Sequence, residues 1–195
     1  MSEVWDAEAP RFDDDPDHGL RDPDTRLAWL ELLLAHLPPP PARVADLGCG
    51  TGTLSVLLAE AGYVVDGVDF SPAMVELART KAASRDDVTF VVADVAEPPL
   101  EPAAYDVVLC RHVLWVLPDQ AAALSRWADL LAPGGRLLLV EGFWSTGAGL
   151  TAEQTVDLVR GAGRETDVHP LEDPVLWGRE TGDERYLVVS RRPRR

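Results

Sequence analysis

Val44-Ala45-Asp46-Leu47-Gly48-Cys49-Gly50-Thr51-Gly52-Thr53-Leu54-Ser55 is the stretch that decides the fold. A short apolar run closes on an acid and a glycine turn, and a helical pattern begins directly after it. That order gives a strand, a tight loop and a helix N-terminus, where a polar ligand can lie against bare backbone amides. A dinucleotide fingerprint reads G-x-G-x-x-G, its third glycine packing helix on strand. Here the glycines are Gly48, Gly50 and Gly52 and position 53 is Thr, so the match to a nicotinamide or flavin site is imperfect. Asp46 sets a carboxylate beside the loop, which repels a pyrophosphate and suits a ligand carrying an ammonium group.

Four further features follow in order. Val64-Val65-Asp66-Gly67-Val68-Asp69-Phe70-Ser71-Pro72-Ala73-Met74 is a strand ending on an acid, then a Ser-Pro helix start. Thr89-Phe90-Val91-Val92-Ala93-Asp94-Val95 is a third strand with an acid behind it. Tyr105-Asp106-Val107-Val108-Leu109-Cys110 runs into Arg111-His112-Val113-Leu114-Trp115-Val116-Leu117-Pro118-Asp119, and Leu130-Leu131-Ala132-Pro133-Gly134-Gly135-Arg136-Leu137 supplies a helix end and the turn into a fifth strand.

Together these motifs, from about Val44 to Gly142, resemble a class I S-adenosylmethionine-dependent methyltransferase, nearest in style to the small-molecule enzymes of ubiquinone and menaquinone biosynthesis. The resemblance implies a Rossmann-like, doubly wound α/β fold: a seven-stranded, mainly parallel sheet with an antiparallel last strand and helices on both faces. It implies S-adenosyl-L-methionine as cofactor and S-adenosyl-L-homocysteine as product.

Each position has a physical task in that setting. Asp69 lies nineteen residues beyond Gly50 at a strand end, where one carboxylate can accept from both hydroxyls of a ribose. Phe70 and Met74 offer apolar, polarizable surface to a purine. Asp94 can accept from the adenine amino group, and the Val95 amide can donate to a ring nitrogen. Asp46 would hold the ammonium through water, with the amides of the Gly48-Cys49-Gly50 turn and Gly52 on the carboxylate side. By resemblance, the backbone carbonyl of Arg111 is a further ammonium acceptor.

Composition narrows the alternatives. A chain of 195 residues with 46% hydrophobic content fits one domain: 1–41 as an N-terminal lid and helix, 42–142 as the cofactor-binding core, 143–195 as a C-terminal helix and strand hairpin. No run approaches the ~20 apolar residues of a membrane span, and Met1-Ser2-Glu3-Val4-Trp5-Asp6 lacks the basic and apolar parts of a signal peptide, so no membrane partner and a cytoplasmic location are expected. Cys49 and Cys110 have no CxxC spacing, giving neither a zinc site nor a disulfide framework; no metal is expected. A net charge of −15 argues against nucleic acid. The Arg191-Arg192-Pro193-Arg194-Arg195 cluster is read as a solvated terminus. High acid content with abundant Ala, Arg and Pro and little Lys points to a bacterial source, and a monomer or homodimer is expected.

The segment from Trp5 to Asp24, with Trp5, Phe12 and His18 among carboxylates, is read as a partly ordered lid, against the alternative of a disordered tail. Asp24 is expected to cap a helix through Leu37, with Leu27, Leu30, Leu34 and Leu37 at helical spacing. Helices near Thr53 to Ala61, Pro72 to Ser84, Asp119 to Leu131 and Thr151 to Arg160 separate the strands. Val168 to Leu171 and Tyr186 to Ser190 should form a hairpin.

A sulfonium makes its methyl carbon electrophilic unaided, so the protein mainly holds a nucleophile in line about 3 Å away in a dry pocket. His112, just past the fourth strand, is the candidate base for a hydroxyl acceptor, against a plain pocket-lining role. His18 and Glu141 are next. Arg111 could recognise an acidic substrate or simply pair with a carboxylate. Trp115, Phe143, Trp144 and Trp177 supply aromatic surface for a ring-bearing acceptor, although Trp115 also fits a helix core. The expected reaction is O- or N-methylation of a small organic metabolite; a nicotinamide-dependent oxidoreductase and a noncatalytic cofactor-binding protein are the rival readings.

Overall fold

The computed structural model describes residues 2–193. Met1, Arg194 and Arg195 lie outside the described residues, and with them two arginines of the basic cluster. Three helices come first, α1 (Ser2–Phe12), α2 (Pro16–Gly19) and α3 (Pro23–His36). Strand and helix then alternate: β1 (Arg43–Leu47), α4 (Thr53–Glu60), β2 (Val64–Asp69), α5 (Pro72–Lys81), β3 (Val88–Val92), β4 (Tyr105–Arg111), α6 (Gln120–Asp129), β5 (Leu131–Phe143), α7 (Ala152–Gly161), β6 (Glu165–Pro170) and β7 (Glu184–Arg191).

The seven strands form one sheet in the order β3-β2-β1-β4-β5-β7-β6. β1 to β5 pair in parallel, while β7 runs antiparallel to both β5 and β6, as the hairpin reading expects. Alternation along the strands feeds two cores. Val44, Val107, Leu109, Leu138 and Val140 face α3, α4 and α5, and Ala45, Leu47, Val108, Leu137 and Leu139 face α6 and α7. Each Val or Leu among them contributes about 1.5–3 kcal/mol by leaving water. The chain leaves β1 toward β2 and β3, then returns to its other side at β4. That reversal opens a crevice beyond the carboxyl ends of β1 and β4, the position where open α/β sheets bind ligands.

Two local expectations are corrected. The α3 cap is Asp22, whose carboxylate accepts from the amides of Asp24 and Thr25; Asp24 sits in the first turn behind Pro23. Leu27 and Leu34 are exposed, and the buried stripe is Trp29, Leu33 and Leu37. Leucines lie nearly all round this helix, and Trp29 sets its rotation because its Nε1 donates to the Leu176 carbonyl at 2.7 Å. Helix α6 stops at Asp129, and Leu131 already belongs to β5, opposite Tyr105, with a register shift before Val107.

Candidate active site

A cavity of about 720 Å³ opens at the crevice, within the range of small-molecule sites. The glycine turn forms its floor. Gly48 has φ +78°, and a Cβ there would come within 2.3 Å of Val113, so the bare backbone packs directly against the β4 exit. Gly52 does not reach the cavity: it precedes α4 with φ +76°, and a Cβ would meet Ala78 and Phe90 at 2.8 Å. Its task is close packing.

Asp69 closes β2 with its carboxylate divided between two loops. Oδ2 accepts from the Gly50 amide and Oδ1 from the Ser71 amide, both at 2.9 Å. Each oxygen keeps a lone pair for a ligand. Burial pushes its pKa up, against the amide bonds that favour the charged form. Asp46 is buried and accepts from Ser55 Oγ, and burial raises its pKa to about 6, so it is mostly ionised at neutral pH. Burial pushes the Cys49 thiol well up, consistent with a small apolar neighbour and not a nucleophile.

Phe70, Met74, Asp94 and Val95 line one end of the cavity. Met74 is buried and hydrogen-bonded through its amide to Ser71 Oγ at 3.1 Å, which caps α5. Asp94 is exposed, and its Oδ1 accepts from the Ala96 amide at 2.8 Å, which fixes the turn holding the buried Val95.

The N-terminal segment lies across this cavity, with Trp5, Phe12 and His18 among its lining residues. Phe12 stacks on His18 at 4.2 Å and stands 3.3 Å from the place a Gly50 Cβ would occupy. Three polar ties fasten the segment. Asp6 accepts from Ser71 Oγ at 2.6 Å and from the Ala73 amide at 3.2 Å. Asp13 accepts from Thr51 Oγ1 and pairs with Lys81 at 2.9 Å. The Arg111 guanidinium, which also lies 5.0 Å over Trp29, donates to the Asp17 carbonyl. The Arg111 side chain is thus turned toward α2.

His112 leaves β4 with φ +58°, a left-handed backbone uncommon for a side-chain-bearing residue. Its amide donates to the Val140 carbonyl at 2.9 Å, and its carbonyl accepts from Trp115 Nε1 at 3.0 Å. The imidazole lies between Trp144 (5.4 Å, edge-on) and Trp177 (6.0 Å, near parallel), and Nε2 is buried without a hydrogen-bond partner. Burial holds it well below the usual histidine range, with Arg111, Arg185 and His18 adding to the effect, so it is neutral at pH 7. Trp115 and Trp144 line the cavity 5.3 Å apart, a pocket-wall role for Trp115. Donor atoms of Asp17, His18 and His112 lie within 4.8 Å of one another, but the Arg111 and Arg185 charges beside them disfavour a dication.

Three more expected residues stand elsewhere, and the first, Trp177, is buried beneath His112 and Arg185 outside the cavity lining. Glu141 is fully buried behind the cavity wall, where Oε1 accepts from the amides of Val113 and Leu114 at 3.1 and 2.8 Å; burial raises its pKa to about 8. It positions the turn after His112 and meets no cavity surface. Phe143 points outward, more than a third exposed. Residues that sequence reasoning missed are Asp6, Asp13, Ser55, Lys81 and Arg185. Of these, Ser55 carried a signal, as a polar residue set among Leu54, Val56, Leu57 and Leu58.

Residues 45–139 match the family model described as a methyltransferase domain. The chain is 37% identical over 137 residues to the ubiquinone biosynthesis O-methyltransferase of Xanthomonas axonopodis pv. citri, covering 69% of this chain and 54% of that protein. It is 39% identical over 104 residues to the demethylmenaquinone methyltransferase of Thermus thermophilus, covering 52% and 47%. The chain spans about half the length of these curated relatives. An S-adenosylmethionine-dependent methyltransferase from Mesorhizobium loti shares the fold with TM-score 0.66 at 22% identity, covering 83% of this chain and 96% of that one. The chain thus carries a methyltransferase domain, in the fold of the class I S-adenosylmethionine-dependent methyltransferases. Among the described residues, no helix is long and apolar enough to cross a membrane.

Proposed function

We propose that this class I methyltransferase transfers the methyl group of S-adenosylmethionine to oxygen or nitrogen of a small organic acceptor, working as a single domain in the cytoplasm. The observation that carries the reading is the Asp69 carboxylate, held by the Gly50 and Ser71 amides on the floor of the cavity with lone pairs still open to it. A carboxylate so placed fits the two hydroxyls of a ribose and does not fit a pyrophosphate. Buried Asp46 beside the glycine amides fits an amino acid's ammonium and carboxylate in turn.

The cofactor supplies an electrophilic methyl group. The chain's own residues bind and orient it through Asp69, Asp46, Phe70, Met74, Asp94 and Val95, and exclude water with Trp5 and Phe12. His112 Nε2, neutral and unpartnered, is the group placed to take a proton from an acceptor hydroxyl or amine. The relatives named above are named for ubiquinone biosynthesis and for demethylmenaquinone, both quinone chemistry, and the Trp115–Trp144 wall supports a ring-bearing acceptor here. Formation of S-adenosylhomocysteine should be followed as the purified chain is given S-adenosylmethionine and a panel of small phenols and aryl amines. A methylated product supports the reading, and a chain that binds neither the cofactor nor its product refutes it.

A further inference from the structure

We propose that the acceptor is an aromatic carboxylic acid, its carboxylate bound by Arg185 and its ring laid against Trp115 and Trp144. The proposal rests on the methyl-transfer reading and adds a substrate class to it.

Arg185 rises from β7 into the cavity wall, its side chain 7% exposed, with its guanidinium 4.2 Å over the Trp177 ring. Asp183 takes one corner, Nη2, at 3.2 Å. Nε is buried and makes no hydrogen bond. A buried guanidinium N–H left unmatched costs free energy that a bound acceptor oxygen would recover. Two more nitrogens share this condition, Nε2 of His112 and Nδ1 of His18. Arg185 and His112 both pack against the buried Trp177 ring, which brings the two side chains together in the cavity wall.

Charge agrees with hydrogen bonding. Arg111 and Arg185 bring two guanidinium charges to the cavity wall beside the neutral His112, in a chain whose net charge is −15. Among the acids of the wall, Asp183 pairs with Arg185, Asp17 and Asp46 face Arg111, and Asp15 lies beside His18. The guanidinium edge of Arg185, with Nε still unpaired, is planar and selects a planar carboxylate. Trp115 and Trp144 stand next to His112, which Trp144 touches, so a ring attached to the carboxylate meets indole surface.

The test uses benzoate and its neutral counterpart benzamide, titrated into the full chain saturated with S-adenosylhomocysteine and read by ligand-observed NMR. Benzoate should bind about 10-fold or more tightly than benzamide, a difference of the size that one charge-assisted contact supplies. Arg185→Gln should erase the preference while S-adenosylhomocysteine still binds, and Arg185→Lys should keep part of it. Equal binding of the two probes to the unmodified chain overturns the proposal without touching the methyl-transfer reading, as does a preference that survives in Arg185→Gln. Failure of S-adenosylhomocysteine itself to bind overturns both.

Discussion

Asp13 Oδ2 lies 2.9 Å from Lys81 Nζ, which ties the segment crossing the cavity mouth to the last turn of α5. Lys81 also donates to Thr53 Oγ1 at 2.6 Å and Thr51 Oγ1 at 3.1 Å, so one ammonium joins lid, glycine turn and helix. Burial lowers its pKa, and the Asp13 carboxylate counters this.

Lys81→Met should therefore loosen the lid without unfolding the domain. A partly buried pair of this kind contributes about 1 kcal/mol, so S-adenosylhomocysteine should dissociate roughly 5-fold faster by stopped flow. An unchanged dissociation rate would show that the segment covers the site without gating it.

His112→Gln should keep cofactor affinity and lower turnover about 100-fold or more with a hydroxyl acceptor. The base works deprotonated, and its pKa is depressed by burial, so the rate of the unmodified enzyme should rise with pH on the acid side of the ordinary histidine range and be level by neutrality. Rate profiles against pH check this: the variant should lose that limb, and a near-normal rate would leave His112 as pocket wall.

Glu141→Gln should leave turnover within a few-fold, since the amide oxygen can still accept from Val113 and Leu114. Its effect belongs to stability. The folded-state pKa is raised to about 8 from 4.5, so the folded form binds the extra proton. Stability from this group is full below the unfolded value and is lost as pH rises through the folded one. The advantage of the variant in thermal melts should grow steadily from pH 5 to pH 8, whereas a constant difference would mean that Glu141 is ionised throughout.

Gly52→Ala should cost roughly 2 kcal/mol or more, because positive φ combines with a clash against Ala78 and Phe90. Gly134 also has positive φ, but a Cβ there meets nothing within 4 Å, so Gly134→Ala should cost only about 1 kcal/mol. Urea melts of both variants separate packing from backbone strain.

Much of the fold was legible because the chain alternates cleanly between short apolar runs and helix starts, and because turn chemistry marks each boundary. Gly48 to Gly52, Ser71-Pro72 and Thr151 with Gln154 all behave as their residue types require. The α3 face was not legible, since leucines on every side give no contrast and the choice was made by a distant carbonyl at Leu176. The cavity was readable where strand ends carry acids, at Asp46 and Asp69. Glu141 was misplaced because its carboxylate turns to the Val113 and Leu114 amides, partners in another element that strand alternation does not reveal. Arg185 and Lys81 escaped because their partners, Trp177 and Asp13, lie in other elements, and no local pattern records such pairs.

The central claim is that Asp69 holds the ribose of S-adenosylmethionine, and titration calorimetry with S-adenosylhomocysteine tests it most directly. The unmodified chain should bind, and Asp69→Ala, with its fold checked by thermal melting, should bind about 2 to 3 kcal/mol more weakly, as expected for charge-assisted bonds left unmade. Equal affinity for the two proteins, or tighter binding of NADH than of S-adenosylhomocysteine, would contradict the account.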